Sequence, residues 1–311
     1  TDEIKHLLAS DDGAVVVVDG PVKPAVPPVV RCRSASPQCW IRTARPGWSA
    51  VAAVVPGNDD PHLDLTVGFG RTGRAVASVL LRQPDVELAW VVRRSQPSGC
   101  RSAGSILGVE SPDPATVFGI GECSAADLFA EERVDAVIDF SSPRGIDYYA
   151  PAAAELGVSM VCAVSSFGRD VSKSFELWGR TTRALCSPNI TVGINFMLLA
   201  AKALKAIAPE SDVEIVEEHF RNKTETSGTA LRLARTLEVD AAQVKSLRAG
   251  TIVGNHEVLF GLEDQVVRIR HESLSREAFG NGALFAAREL QSRPNGVYQM
   301  EDLLLPYFTA A

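Results

Sequence analysis

Leu65-Thr66-Val67-Gly68-Phe69-Gly70-Arg71-Thr72-Gly73 decides the fold. Residues 65–67 form a short apolar run of strand character. Residues 74–81 follow with Ala75, Val76, Val79 and Leu80 at helical spacing. Between them lies a Gly-x-Gly-x-x-Gly turn. Its first glycine permits the tight bend, the second lets backbone approach a pyrophosphate, and the third lets the helix pack close to the strand. Set between a strand and a helix, this turn points to a dinucleotide held by Gly68, Phe69, Gly70, Arg71, Thr72 and Gly73.

Working outward, a second strand over 86–92 ends in Arg93-Arg94-Ser95. NAD sites usually place an Asp or Glu there for the ribose hydroxyls, whereas arginine suits a 2′-phosphate. Two arginines and no acid favour NADPH, with NADH left open. Residues 125–132 read as a helix, and 134–140 as a buried strand ending in Phe140-Ser141-Ser142-Pro143. A crossover helix follows over 146–156, then a strand over 159–164 ending in Ser165-Ser166-Phe167-Gly168. This alternation predicts a Rossmann-like, doubly wound parallel sheet. Ligands sit at the carboxyl ends of such strands, which puts Phe140, Ser141, Ala163 and Ser165 beside the nicotinamide half of the cofactor.

The second half carries the chemistry. Residues 212–216 alternate as a half-buried strand, and 230–237 present Leu231, Leu233, Ala234 and Leu237 as a helical face. The stretch between contains Glu217, His219, Phe220, Lys223, Glu225, Ser227, Gly228 and Thr229. The small residues Ser227, Gly228 and Thr229 leave the first N–H groups of the helix open to an anion. His219 can donate a proton near neutral pH, and Lys223 is a compact positive charge. Together they predict a pocket that holds a carboxylate and protonates something beside it; a plain capped helix with a solvated basic loop is the alternative. Residues 196–208 read as a helix, 251–260 and 265–273 alternate like antiparallel strands, and a last helix runs over 275–290. Of the five histidines, His6 and His62 lie in or beside the N-terminal stretch. His256 and His271 lie in the strands, where structural roles are usual. No Ser-His-acid set or metal cluster competes with His219.

Residues 1–62 differ from the rest. They hold eight of the 18 prolines, no acid between Pro21 and Asn58, and Arg31, Arg33, Arg42 and Arg45. Residues 15–18 could make one short strand, but the stretch as a whole reads as a poorly ordered extension. The complete 311-residue chain is 46% hydrophobic and 22% charged, which is enough apolar material for a sizeable core. A net charge of −7 argues against a nucleic-acid surface, and no apolar run approaches the ~20 residues of a membrane span. Six cysteines without a Cys-x-x-Cys pair suggest a reduced, intracellular chain, with Cys162 and Cys186 as buried thiols.

Several spaced motifs resemble the dihydrodipicolinate reductases, nicotinamide-dependent enzymes of the diaminopimelate route to lysine. That family carries Glu-x-His-His-x-x-Lys-x-Asp-x-Pro-Ser-Gly-Thr-Ala. The matching residues here are Glu217, His219, Phe220, Lys223, Glu225, Ser227, Gly228, Thr229 and Ala230. Phe220 replaces the second His, and one residue, the Pro, is missing before Ser227. The family's Asp-Phe-Thr-x-Pro and Gly-Thr-Thr-Gly-Phe strand ends correspond to Asp139–Pro143 and Ala163–Phe167 here. Ser187-Pro188-Asn189-Ile190 to Asn195 resembles the junction between family domains, and Gly296 to Leu303 its closing motif. The likeness spans about residues 64–305.

The resemblance implies a dinucleotide-binding domain over 63–188, completed by 291–311. It also implies an α+β domain with an open mixed sheet over 189–290, for substrate binding and tetramer assembly. It implies hydride transfer from NADPH to a small cyclic dicarboxylate, with His219 supplying the proton and Lys223 assisting. Ser227, Gly228 and Thr229 would hold a carboxylate with help from Ser165, Phe220 would line the substrate, and Ser187, Asn189 and Ile190 would lie near the nicotinamide. The expected setting is cytoplasmic rather than plastid, with no nucleic-acid or membrane partner. Three readings stay open: a lysine-route reductase, a relative acting on another cyclic imine or enamine acid, and a cofactor-binding protein without catalysis.

Overall fold

The computed structural model describes residues 49–54, 70–95, 99, 101–112, 115–164, 167 and 170–309, together with Leu8–Ala9 (β1) and Val15–Val16 (β2). β1 and β2 pair antiparallel within a unit of their own, Thr1–Arg31. The remaining elements belong to a second unit, Cys32–Ala311. Its first half contains β3 (Ser49–Val54), α1 (Arg71–Leu81), β4 (Val86–Arg93), α2 (Ala103–Leu107), β5 (Thr116–Gly119), α3 (Ala125–Glu131) and β6 (Ala136–Asp139). There follow α4 (Gly145–Leu156), β7 (Ser159–Cys162), α5 (Ser172–Trp178) and β8 (Arg183–Cys186). The second half contains α6 (Val192–Ile207), β9 (Asp212–His219), α7 (Gly228–Thr236), β10 (Lys245–Arg248), β11 (Asn255–Leu262), β12 (Gln265–Glu272), α8 (Glu277–Gln291), β13 (Gly296–Tyr298) and α9 (Met300–Thr309).

Seven strands form one parallel sheet in the order β13-β8-β7-β6-β3-β4-β5. β6 and β7 are buried along their whole length, as expected for parallel strands covered by helices on both faces. The chain builds outward from β3 to β5, then returns to lay down β6 on the other flank. A ligand crevice belongs at this reversal, at the carboxyl ends of the strands. α1 and α8 cover one face, packing Val76, Leu80, Ala283, Ala287 and Leu290 over Leu88, Val91, Ile138, Val161 and Leu185. Tyr149, Ala153, Leu128 and Phe129 of α4 and α3 fill the other. Gly280 makes the α1–α8 contact possible: a Cβ there would lie 2.9 Å from Val79 Cβ.

The parallel sheet expected from the alternation of elements is thus present, with two differences. The segment 65–67 lies outside the described residues, and the central strand position is held by Ser49–Val54. That strand falls in the stretch expected to be a poorly ordered extension. The local reason is visible in the chain: Ser-Ala-Val-Ala-Ala-Val is a proline-free apolar run between Pro46 and Pro56, and averaging over 62 residues hides it. Further, α8 packs against α1 under the parallel sheet, so the return to the first domain begins with α8 rather than after residue 290. Its run of Ala283, Leu284, Ala286, Ala287 and Leu290 explains the placement.

The second sheet has the order β10-β9-β11-β12, with β9–β10 parallel and the other pairings antiparallel. Its inner face packs Ile215, Val258 and Phe260 against Ile194, Met197 and Leu198 of α6 and Leu233 and Ala234 of α7. At one end of that face the apolar residues give way to Glu217, His219 and His256. Among the described cysteines, Cys162 and Cys186 are free thiols.

Candidate active site

β9 runs on through His219, so the expected strand end and charged loop divide differently from the sequence reading. Glu217 and His219, two residues apart, project from the same face of the strand and are both buried. Pairing with β10 sets Ser246 beside Glu217 and Arg248 beside His219. The carboxylate of Glu217 then gathers its donors. Arg248 gives it two parallel bonds, Nη2 to Oε1 at 2.7 Å and Nη1 to Oε2 at 3.0 Å. Ser246 Oγ donates at 2.6 Å and the Ser227 amide at 3.4 Å. His219 donates its Nδ1–H to Oε2. Burial alone would raise the pKa of Glu217, but the bonds from Arg248, Ser246 and His219 outweigh it and bring it down to about 2. An ionised Glu217 accepts only, so it fixes the Nδ1–H tautomer and leaves Nε2 as the ring atom that exchanges a proton. Nε2 faces Gly254, where a Cβ would sit only 3.0 Å away.

Arg248 also organises the loop that carries Lys223. Its Nε donates to the Lys223 carbonyl at 2.8 Å, Nη2 to the Glu225 carbonyl at 2.9 Å and Nη1 to the Leu247 carbonyl at 2.8 Å. All five guanidinium N–H groups are thereby engaged. The loop leads to Ser227, which caps α7 by accepting the Thr229 amide at 3.2 Å. Gly228 is open on its Cβ side, with nothing within 4 Å. Asn189, at the junction after β8, donates Nδ2–H to Thr229 Oγ1 at 2.9 Å, tying the parallel-sheet half to the head of α7. Ser187 Oγ and Asn195 Nδ2 both donate to the Asn189 carbonyl, at 2.8 and 2.9 Å.

His219, Ser227, Thr229 and Asn189 are therefore brought together, with Lys223 on the adjoining loop. Phe220 follows His219 directly and is 42% exposed. On the cofactor side, Gly70 is the N-cap of α1 and brings no side chain to the first amides, at Arg71, Thr72 and Gly73, which have no side-chain cap among the described residues. Arg93 closes β4, and its Nε is buried without a partner among the described residues. Arg94 follows it and is exposed. At the end of β6, Asp139 is wholly buried and accepts the Ser141 amide at 2.7 Å and Tyr149 Oη–H at 3.1 Å. Burial pushes its pKa up to about 6, against the pull of those bonds. Phe140 meets the Phe279 ring edge-on at 6.4 Å. The Ala163 amide bonds the Asp139 carbonyl at 2.8 Å, and the Ile190 side chain is wholly buried in the core. Gly68, Phe69 and Ser165 lie outside the described residues. Among the described residues, no group of three or more His, Cys, Asp or Glu could hold a metal ion, and no helix is long and apolar enough to cross a membrane.

Sequence reasoning missed Glu217, Ser246 and Arg248 as site residues. Glu217 had a signal, its two-residue spacing from His219 on one strand. Lys245–Arg248 had almost none, since a four-residue strand of mostly polar type has no apolar period to detect.

Comparisons with known proteins bear on both halves of the chain. The family models described as "Dihydrodipicolinate reductase, N-terminus" and "Dihydrodipicolinate reductase, C-terminus" match residues 65–190 and 191–304, meeting at the junction that Asn189 bridges. The 4-hydroxy-tetrahydrodipicolinate reductase of Halorhodospira halophila is 33% identical over 260 residues, 76% of this chain and 95% of the relative. That of Anaeromyxobacter dehalogenans (strain 2CP-1) is 31% identical over 266 residues, 77% of this chain and 96% of the relative. Among solved structures, a dihydrodipicolinate reductase from Paenisporosarcina sp. TG-14, with dipicolinate bound, superposes with a TM-score of 0.62 at 18% identity, covering 82% of this chain and 99% of that one. An amine dehydrogenase from Mycobacterium smegmatis shares the fold less closely, with a TM-score of 0.53 at 10% identity over 81% of this chain and 95% of its own. With both halves matched and the motif residues gathered at the head of α7, this chain belongs to the dihydrodipicolinate reductase family.

Proposed function

We propose that the chain reduces 4-hydroxy-tetrahydrodipicolinate, through dihydrodipicolinate, to tetrahydrodipicolinate in diaminopimelate and lysine biosynthesis, with NADPH as the preferred reductant. The observation that carries this reading is the Glu217–His219 pair beside the Ser227 cap and the Lys223 loop, in a chain of this family. The cofactor fits the residues present: uncapped amides at the start of α1, the reversal between β3 and β6, and a buried, unpartnered Arg93 Nε suited to a phosphate. When bound, the reduced nicotinamide supplies a hydride to ring carbon 4. The chain's task is then to hold the dicarboxylate and deliver one proton to the adjoining ring carbon. The open Gly228 and the hydroxyls of Ser227 and Thr229 receive one carboxylate at the helix start. Lys223 offers a second cation, and His219 releases the proton from Nε2 while Glu217 steadies the ring through Nδ1. The family motif is the ground for assigning Ser165 to the substrate side. Phe140, Ser141, Ala163, Ser187, Asn189 and Ile190 frame the nicotinamide side, and the assembly is a cytoplasmic homotetramer joined through the open sheet.

The test is cofactor oxidation with substrate made in situ by the synthase of the preceding step. Turnover should be faster at limiting NADPH than at limiting NADH, and His219→Gln and Lys223→Ala should each cut it roughly 10²–10⁴-fold while leaving NADPH affinity unchanged. Full turnover by His219→Gln sinks the mechanism. One observation favours a second substrate of the same class. Phe220 stands exposed where the family motif has a His, so a cyclic imine acid with a less polar ring remains the competing substrate. Phe220→His should lower KM for the lysine-route substrate if that is the native one, and raise KM for the native substrate otherwise.

A further inference from the structure

His256 has no part in the proton path, yet it touches both halves of the site. On β11 it lies opposite Glu217 of β9 and His271 of β12. Its Nε2 is 2.9 Å from Ser227 Oγ, and its ring meets the His219 ring edge-on, with centroids 5.4 Å apart and planes at 79°. It is 5% exposed, and its Nδ1 has no partner among the described residues. Burial, with the nearby His219 adding to it, lowers its pKa to about 3, so the ring is neutral near pH 7. A neutral imidazole has one N–H to place. On Nδ1 it would be a buried donor without an acceptor. On Nε2 it is used by Ser227, and Nδ1 keeps only an idle lone pair. Orphaned buried N–H groups are rarer than underused acceptors, so the proton belongs on Nε2. Ser227 Oγ then accepts twice, from His256 and from the Thr229 amide, and both lone pairs are filled. Its own proton is left to donate to a ligand.

We propose that His256 is a positioning residue that fixes Ser227 as a hydrogen-bond donor toward the anionic group of the substrate at the start of α7. The inference rests on the carboxylate role given to Ser227 above, and it makes His256 a determinant of substrate affinity rather than of proton transfer.

Glutamine at 256 can place an amide nitrogen where Nε2 lies, whereas the shorter asparagine can place one only near Nδ1. Pyridine-2,6-dicarboxylate serves as the probe, titrated calorimetrically into the NADPH-bound full chain, beside steady-state kinetics. His256→Asn should raise the probe's Kd and the substrate's KM about tenfold, the loss of one charge-assisted bond. Turnover and NADPH affinity should stay within about threefold, and His256→Gln should bind nearly as the wild type does. In a Ser227→Ala background, His256→Asn should add nothing further. Equal binding by wild type, Asn and Gln variants, or additive losses with Ser227→Ala, overturns the role of His256 alone. A wild type that turns over but does not bind the probe overturns the carboxylate role of Ser227 and this proposal with it. A wild type that binds the probe but shows no turnover counts against the proposed activity, while the Asn–Gln contrast in binding still decides the role of His256.

Discussion

Arg248 is the residue on which the shape of the Lys223 loop depends, because one planar group serves a buried carboxylate and three backbone carbonyls at once. Lysine keeps the charge but offers a single rotating ammonium, so it cannot reproduce the fork. Arg248→Lys should therefore lower turnover at least about tenfold through a displaced Lys223 loop, and Arg248→Ala should cost roughly 3–5 kcal/mol of stability by stranding Glu217. Denaturant titration and steady-state kinetics check both, and an Arg248→Ala protein as stable as the wild type would refute the hub. The two perturbed carboxylates act in opposite directions with pH. Asp139 has its folded pKa raised from 3.8 to about 6, so the native state holds the extra proton between those values. Its contribution is full below pH 3.8 and is lost as pH rises through 6. Glu217 is lowered from 4.5 to about 2, so its contribution is full above pH 4.5 and is lost as pH falls through 2. Asp139→Asn should accordingly gain stability relative to the wild type on going from pH 4 to pH 7, read as a difference in melting temperature; a constant difference refutes the assignment. His219 and Lys223 could be read from the chain because their side-chain chemistry is distinctive. Arg248 could not, because it meets Glu217 only through the β9–β10 register.

Elements with an internal apolar pattern were legible, and those defined by their neighbours were not. β6 and β7 are short hydrophobic runs whose burial follows from composition, and α1 and α4 show clear helical spacing. β10, four residues of mostly polar type, exists because β9 offers it an edge. α8 was recognised as a helix, but its side of the molecule depends on Gly280 admitting the backbone of α1. β3 is the largest departure. Ser49–Val54 pairs in parallel with both β4 and β6, and removing it splits the sheet into two parts at the chain reversal where the cofactor is proposed to bind. A chain beginning at Leu63 should lose its cooperative melting transition and its NADPH affinity, measured by calorimetry and fluorescence titration. If the shortened chain melts and binds as the full one does, another segment must be able to fill the central position.

At the scale of the whole molecule, the second sheet is covered on one face only. Its inner face packs on α6 and α7, while its outer face carries Leu247 and Val266, 52% and 59% exposed, among a network of charges. Arg268 and Arg270 both bond Glu257, and Arg270 also reaches Glu218 and Glu272. Isolated exposed ion pairs contribute about 0–1 kcal/mol each, so this lattice adds little to a lone chain. Against an identical face it would set register, because opposite charges must align while the apolar residues between them are buried. The family resemblance implies such pairing; the alternation of 251–260 and 265–273 cannot by itself say whether the outer side meets water or a second copy. Sedimentation equilibrium should give four times the chain mass for the wild type. The double variant Leu247→Asp, Val266→Asp should give a smaller species that still binds NADPH, because the proposed cofactor crevice lies within the parallel sheet of one chain. A monomeric wild type at micromolar concentration would show that the outer face is simply a solvated surface.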